Sequence, residues 1–231
     1  MKTSIKISVM IACMLLTSIN MKAQKYTFAQ FDRYAKSNMA LSKPAKNEKR
    51  VVFMGNSITD NWARMRPEFF KNHGYIGRGI SGQTSFAFLL RFREDVIKLQ
   101  PKIVVINYGT NDIAENNGEY NEELTFGNVV SMVELARYHK IKVILASCLP
   151  ARMFGWRPSI ENVMGKIRHL NARVQAYAKA NNIPYVDYFS AMVSADGMGM
   201  NQDYTPETVH PNDKGYEIME SLIVPVIEKY R

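Results

Sequence analysis

Five short stretches of the chain, Arg50–Met54, Tyr75–Ile80, Lys102–Asn107, Lys142–Ser147 and Pro184–Tyr188, are rich in β-branched or aromatic residues. Most are nearly continuous apolar runs, the pattern of strands covered on both faces in a parallel sheet. Between them, apolar residues recur at helical spacing. Trp62–Asn72 predicts a short helix. Phe86–Leu99 carries Phe86, Leu89, Leu90 and Ile97 and stops at Pro101. Asn121–Tyr138 carries Leu124, Val129, Val130, Met132 and Val133. Ile160–Asn181 aligns Val163, Ile167, Leu170, Val174 and Tyr177 on one stripe, and Asp213–Tyr230 closes the chain with a bend expected near Pro225. Strands alternating with helices imply right-handed βαβ units. The expected fold is α/β, a three-layer α/β/α sandwich on a five-stranded parallel sheet. Ligands of such sheets bind outside the carboxyl ends of the strands, so the chemistry should follow each strand directly.

Ahead of this pattern, Lys2 and Lys6 precede an apolar run from Ile7 to Ile19, followed by Met21-Lys22-Ala23-Gln24. A basic start, a short apolar middle and a small residue near the end predict a secretory signal peptide over residues 1–24, cleaved near Ala23 or Gln24, with one domain over 25–231. Export to the periplasm or beyond the cell follows from that expectation. The formal charge of +9 includes Lys2, Lys6 and Lys22, so the chain after Ala23 carries +6. Its lysines and arginines are scattered and no basic run is interleaved with aromatics, which argues against a nucleic-acid partner. No later stretch is long and apolar enough to span a bilayer. With 231 residues, 46% of them hydrophobic, the chain can bury a core, which excludes disordered and low-complexity classes. Its two cysteines, Cys13 and Cys148, exclude a disulfide framework, and Cys148 reads as a small buried hydrophobe. No Cys/His/Asp cluster has ligand spacing, so no metal is expected.

The strand ends supply the candidate chemistry. After the first comes Gly55-Asn56-Ser57-Ile58-Thr59-Asp60, and after the second Gly79-Ile80-Ser81-Gly82-Gln83. Gly109-Thr110-Asn111-Asp112 follows the third, and Glu207-Thr208-Val209-His210-Pro211-Asn212 lies beyond the fifth. A serine on a strand-to-helix turn is exposed, but its hydroxyl needs a base to become a nucleophile, and His210 is the candidate. The negative oxygen of a tetrahedral intermediate needs donors. The amides of Ser57 and Gly82 and the side-chain amide of Asn111 can supply three. The stretch Gly77-Arg78-Gly79-Ile80-Ser81-Gly82 also matches a dinucleotide-binding pattern, but the next strand ends without the acid such a site needs.

These four blocks, in this order, closely resemble the SGNH hydrolases, also called GDSL esterases or lipases, and Phe53–Trp62 is most similar to their platelet-activating-factor acetylhydrolase-like branch. The resemblance implies a flavodoxin-like α/β/α fold and ester hydrolysis without metal or other cofactor. It makes Ser57 the nucleophile, Gly82 and Asn111 oxyanion-hole residues, and His210 the general base. Two positions depart from the family pattern. Asn56 stands where the name implies aspartate, a position outside the triad. Glu207 stands where an aspartate usually lies three residues before the histidine. Glu207 is thus the candidate triad acid, with Asp203 or a backbone carbonyl as alternatives. Trp62, Arg78, Phe154 and Trp156 are further candidates for substrate contact, the last two on an aromatic loop after the fourth strand. The resemblance, the predicted export and those aromatics together imply a secreted esterase for short acyl groups, acetyl foremost, on carbohydrate. A lipid-directed lysophospholipase or thioesterase and a non-catalytic carbohydrate-binding relic are the alternatives.

Overall fold

The computed structural model describes residues 28–231, and the predicted targeting segment lies outside them. Strands β1 (Val51–Gly55), β2 (Tyr75–Gly79), β3 (Ile103–Asn107), β4 (Lys142–Ala146) and β5 (Tyr185–Val186) form one sheet in the order β2-β1-β3-β4-β5. Every pairing is parallel. The chain winds from β1 to one side for β2 and then to the other for β3. A crevice therefore opens at the carboxyl ends of β1 and β3, where the direction of winding switches.

Strand alternation builds the two outer layers. Val52, Met54, Val104, Ile106, Val143 and Leu145 face one core, and Val51, Phe53, Ile103, Val105, Ile144 and Ala146 face the other. The first core is closed by α4 (Ser85–Asp95), α6 (Glu122–Tyr138) and α7 (Val163–Ala180) through Phe88, Phe92, Val129, Val133, Leu170 and Val174. The second is closed by α2 (Ser57–Met65), α3 (Pro67–His73) and α9 (Asp213–Tyr230) through Ile58, Trp62, Phe70, Tyr216, Met219 and Ile223. This is the expected α/β/α sandwich.

Several boundaries differ from the sequence pattern, each for a local reason. The helix expected over Trp62–Asn72 is two helices. Pro67 cannot continue α2, and Arg66 (φ −120°, ψ 53°) turns the chain so that the proline opens α3. Strand β5 keeps only two residues, because the Asp187 side chain accepts the Ser190 amide (3.0 Å) and starts α8 (Tyr188–Met192). Helix α7 begins at Val163, after Asn162 in the left-handed region. Pro225 sits inside α9. In α4 the buried residues include Ala87, Phe88, Arg91, Phe92 and Asp95, while Phe86 and Leu90 are exposed. The burial of a charged pair on that face hides it from any apolar-periodicity search. Helix α1 (Asp32–Ala40) has no apolar stripe and no buried residue. It is held by polar contacts instead, Asn38 to Asp95 (2.7 Å) and Arg33 to Asp60 (3.3 Å).

Candidate active site

Ser57 is the first residue of α2, one position beyond the cap. The Asn56 side chain accepts the Ile58 amide (2.9 Å), so asparagine performs the capping that aspartate would. The Ser57 amide thus lies in the first turn, where helix N–H groups have no partner within the helix. A side chain at Gly79 would put its Cβ 2.2 Å from the Asp60 amide nitrogen, so this glycine lets α2 lie against the end of β2. That packing accounts for part of the dinucleotide-like glycine pattern without a nucleotide.

Between a single 3₁₀ turn, Gln202–Tyr204, and α9, the loop carrying Glu207 and His210 is tied to itself. Thr205 Oγ1 donates to the His210 carbonyl (2.7 Å) and accepts the Glu207 amide (3.2 Å). Thr208 Oγ1 ties it to the Met153 carbonyl (2.8 Å) of the aromatic loop. His210 Nε2 lies 2.8 Å from Ser57 Oγ, and its Nδ1 is hydrogen-bonded to Glu207 Oε1. Glu207 also accepts the amides of His210 (3.0 Å) and Thr208 (2.9 Å). Partial burial raises its carboxyl pKa, but these bonds and the histidine ring outweigh burial and the net shift is downward. Asp203, the alternative acid, is directed to Lys214 Nζ (3.2 Å). Ser57, His210 and Glu207 therefore form one hydrogen-bonded line. Such a line can move a proton from a hydroxyl to an imidazole held in one tautomer.

Facing it are the other two blocks. Gly82 has φ +79°, a conformation glycine adopts without strain, and its carbonyl accepts Asn116 Nδ2 (3.1 Å). Asn111 is the second residue of the short helix α5 (Thr110–Ile113) and is buried, with Nδ2 donating to the Gln83 carbonyl (2.9 Å). One of its two amide hydrogens is thereby spent, which fixes the amide plane and the direction of the second. Asp112 beside it accepts the Ser85 amide through both oxygens (3.1 Å each) and the Ser85 hydroxyl (2.5 Å). Burial pushes its carboxyl pKa up.

A cleft of about 360 Å³ joins these groups and is lined by Ser57, Gly82, Asn111 and His210 together with Asn61, Ser81, Asn116 and Trp156. Of the expected substrate contacts, Trp156 is there. Its indole is 43% exposed, 6.4 Å from the His210 ring between centroids, and its N–H is taken by Asn116 Oδ1 (2.8 Å). Phe154 is fully buried beneath it, at 5.4 Å. Trp62 is buried in the core, stacked on Phe69 and Tyr216, with its N–H on Glu220 (3.1 Å). Arg78 is buried behind the sheet end and bonded to Asn38 (2.9 Å) and the Gly77 carbonyl (2.8 Å). Trp62, Arg78 and Phe154 thus lie outside the cleft lining: an aromatic or arginine near a motif fits core packing as well as substrate. Asn116 lies in none of the four blocks, and Asn61 lies in the Phe53–Trp62 stretch without being one of its candidates. A further signal at Asn61 is its place four residues after Ser57 on the same helix face. Cys148 is buried against Thr110 and its thiol is pushed up to about 12 by burial, which suits packing and not reactivity. Among the described residues no group of three or more His, Cys, Asp or Glu could hold a metal, and no helix is long and apolar enough to cross a membrane.

The model of the GDSL-like lipase/acylhydrolase family matches residues 53–218, from β1 through the histidine loop into α9. The chain belongs to the GDSL-like lipase/acylhydrolase family. A GDSL-like lipase from Bacteroides thetaiotaomicron VPI-5482 has a solved structure 60% identical to it, at a TM-score of 0.87 over 88% of this chain and 100% of that one. An acetylxylan esterase of Xylanibacter ruminicola is 24% identical over 225 residues, 82% of this chain and 45% of the relative. An uncharacterized lipoprotein of Bacillus subtilis (strain 168) is 38% identical over 82 residues, 34% of each chain. The chain thus spans less than half the length of these two curated relatives.

Proposed function

We propose that this GDSL-like family member is an exported serine esterase that removes short acyl groups, acetyl foremost, from carbohydrate hydroxyls. The observation that carries the reading is the hydrogen-bonded line from Ser57 Oγ through His210 to Glu207, set opposite Gly82 and Asn111 across one cleft. In the proposed reaction, Ser57 attacks the ester carbonyl as His210 takes its proton. The Ser57 and Gly82 amides and the free hydrogen of Asn111 Nδ2 receive the developing oxyanion. His210 then gives the proton to the departing alcohol, and water enters by the same route to release the acid and restore the serine. Glu207 holds the tautomer and faces the imidazolium as it forms.

The lining favours a short acyl group. Apart from Trp156 and His210, the cleft is lined by serine, glycine and asparagine, whose side-chain amides and hydroxyls are short, so no long aliphatic or aromatic wall extends beyond the indole. A long acyl chain gains about 0.8 kcal/mol per buried methylene only against apolar walls. The same amides and the exposed indole face suit a sugar, whose hydroxyls bond and whose C–H face stacks. The acetylxylan esterase relative is consistent with that class of alcohol, and the lipoprotein relative and the predicted signal segment with export. Turnover of p-nitrophenyl acetate, falling at least about 10⁴-fold in Ser57→Ala, is the first test. A chain-length series comes next: a rate maximum at C8 or longer overturns the acetyl assignment in favour of a lipid substrate.

A further inference from the structure

Arg91 is completely buried on the inner face of α4, a costly place for a charge unless every donor is used. Its guanidinium reaches three partners. Nε donates to Gln83 Oε1 (2.6 Å), one terminal nitrogen to the Gly55 carbonyl (3.0 Å), and the other to Asp95 (3.0 Å), which also accepts Asn38 Nδ2 (2.7 Å). Gly55 ends β1, two residues before Ser57. Gln83 follows Gly82 directly. One cation therefore holds the segment that presents the serine and the segment that presents the glycine amide.

Gln83 passes this restraint on. Its side-chain nitrogen donates to the Ala29 carbonyl (3.1 Å), its own amide to the Ile80 carbonyl (3.3 Å), and its carbonyl accepts Asn111 Nδ2 (2.9 Å). With both ends of the side chain fixed, the Gln83 peptide has a set position, and the Asn111 amide plane follows it. We propose that Arg91 and Gln83 are positioning residues that aim the oxyanion hole from behind: the brace fixes the Gln83 carbonyl, which orients Asn111 Nδ2, and fixes the loop carrying the Gly82 amide. Neither side chain touches substrate. This inference rests on the esterase reading above and assigns a role to a buried charge that the reaction itself does not use. Its physical reason is that misplacing a donor by about 1 Å can cost about 100-fold in rate, whereas a simple loss of packing costs stability.

The test is a double-variant cycle on the full chain with an acetate ester, rates being expressed per active site titrated with a phosphonate ester. Gln83→Met keeps the volume and removes every side-chain bond. It is expected to lower kcat about 10- to 100-fold with KM within about threefold, because ground-state binding does not use the oxyanion donors. Affinity for a boronic acid, which forms a tetrahedral anion on Ser57, should fall in parallel. Because Gln83 acts in part through Asn111 and in part through the Gly82 loop, the Gln83→Met/Asn111→Ala double variant should lose clearly less than the product of the two single losses. Turnover unchanged in Gln83→Met, or losses that multiply in the double variant, overturns the brace. Full turnover in Asn111→Ala is a different failure, which removes the oxyanion assignment beneath it. Arg91→Gln is read only where its melting transition shows a folded protein, and should match Gln83→Met in its kcat and KM pattern.

Discussion

Glu207→Gln isolates the charge of the candidate triad acid. Glu207 Oε1 takes two donors from His210, the ring Nδ1 and the backbone amide, while Oε2 takes the Thr208 amide. A glutamine with its carbonyl oxygen toward His210 keeps the first two, so the imidazole stays in the tautomer that accepts from Ser57. What disappears is the anion facing the imidazolium of the transition state, together with the bond from the Thr208 amide, which the glutamine NH2 cannot accept. Unit charges about 4 Å apart attract by about 1 kcal/mol in water and about 4 kcal/mol at the effective dielectric near a protein surface. The Glu207 side chain is 42% and that of His210 27% exposed, which places the pair between these limits after screening, at about 2–3 kcal/mol. At about 1.4 kcal/mol per factor of ten, kcat/KM should fall about 30- to 150-fold. That is far short of the roughly 10⁴-fold loss known for a triad aspartate changed to asparagine, where the histidine is left in the wrong tautomer. Initial rates on p-nitrophenyl acetate at constant ionic strength read the number directly. A loss under about threefold refutes the acid's role, and one above about 10³-fold refutes the screening argument.

Further outcomes test other parts of the structure. Because the Glu207 carboxyl pKa is lowered from 4.5 on folding, its charge favours the fold above that value, and the contribution is lost as pH falls through the lower folded value. The stability gap between the protein and Glu207→Gln should therefore narrow on acidification, as urea titrations at several pH values will read. Trp62→Phe should cost about 2 kcal/mol, from the hydrogen bond to Glu220 and lost aromatic contact, yet leave kcat/KM within about twofold. A shift in KM without a stability loss would return Trp62 to the substrate. Gly79→Ala forces a methyl against the Asp60 amide and should cost about 1–3 kcal/mol by overpacking. It should also slow turnover, because the helix that must yield carries Ser57. Cys148 should resist a disulfide reagent at pH 8 in the native protein and react on unfolding, as thiol titration will show.

Much of this was legible in the sequence because the sheet is parallel. Buried strands write themselves as apolar runs, and a parallel sheet opens its crevice just past them, so the candidates Ser57, Gly82 and Asn111 lie two, three and four residues beyond the ends of β1, β2 and β3. Glu207 and His210 were readable as candidates through the family resemblance, and three residues of spacing keep them within one loop. What escaped was held by polar contacts. Helix α1 has no apolar stripe, and the inner face of α4 includes Arg91 and Asp95 where a periodicity search wants leucines. Trp62, Arg78 and Phe154 failed for the converse reason, since a side chain near a motif in sequence can point to the other side of its element. Asn116 links the Gly82 carbonyl, the Trp156 indole and, through its own amide, the Asn111 carbonyl, a junction that only folding creates.

Tyr216 donates its hydroxyl to the Ile58 carbonyl (2.9 Å), pinning α9 to the first turn of the helix that presents Ser57. The proposed nucleophile and oxyanion donors all lie within the first 111 residues, while the proposed base, His210, comes 99 residues after Asn111 and is set by the helix that follows it. On the proposed reading, a chain still emerging from synthesis therefore carries a serine without its base. Ester turnover during refolding should recover in step with docking of α9 and not with formation of the sheet, so the reaction can serve as a clock for the last stage of assembly.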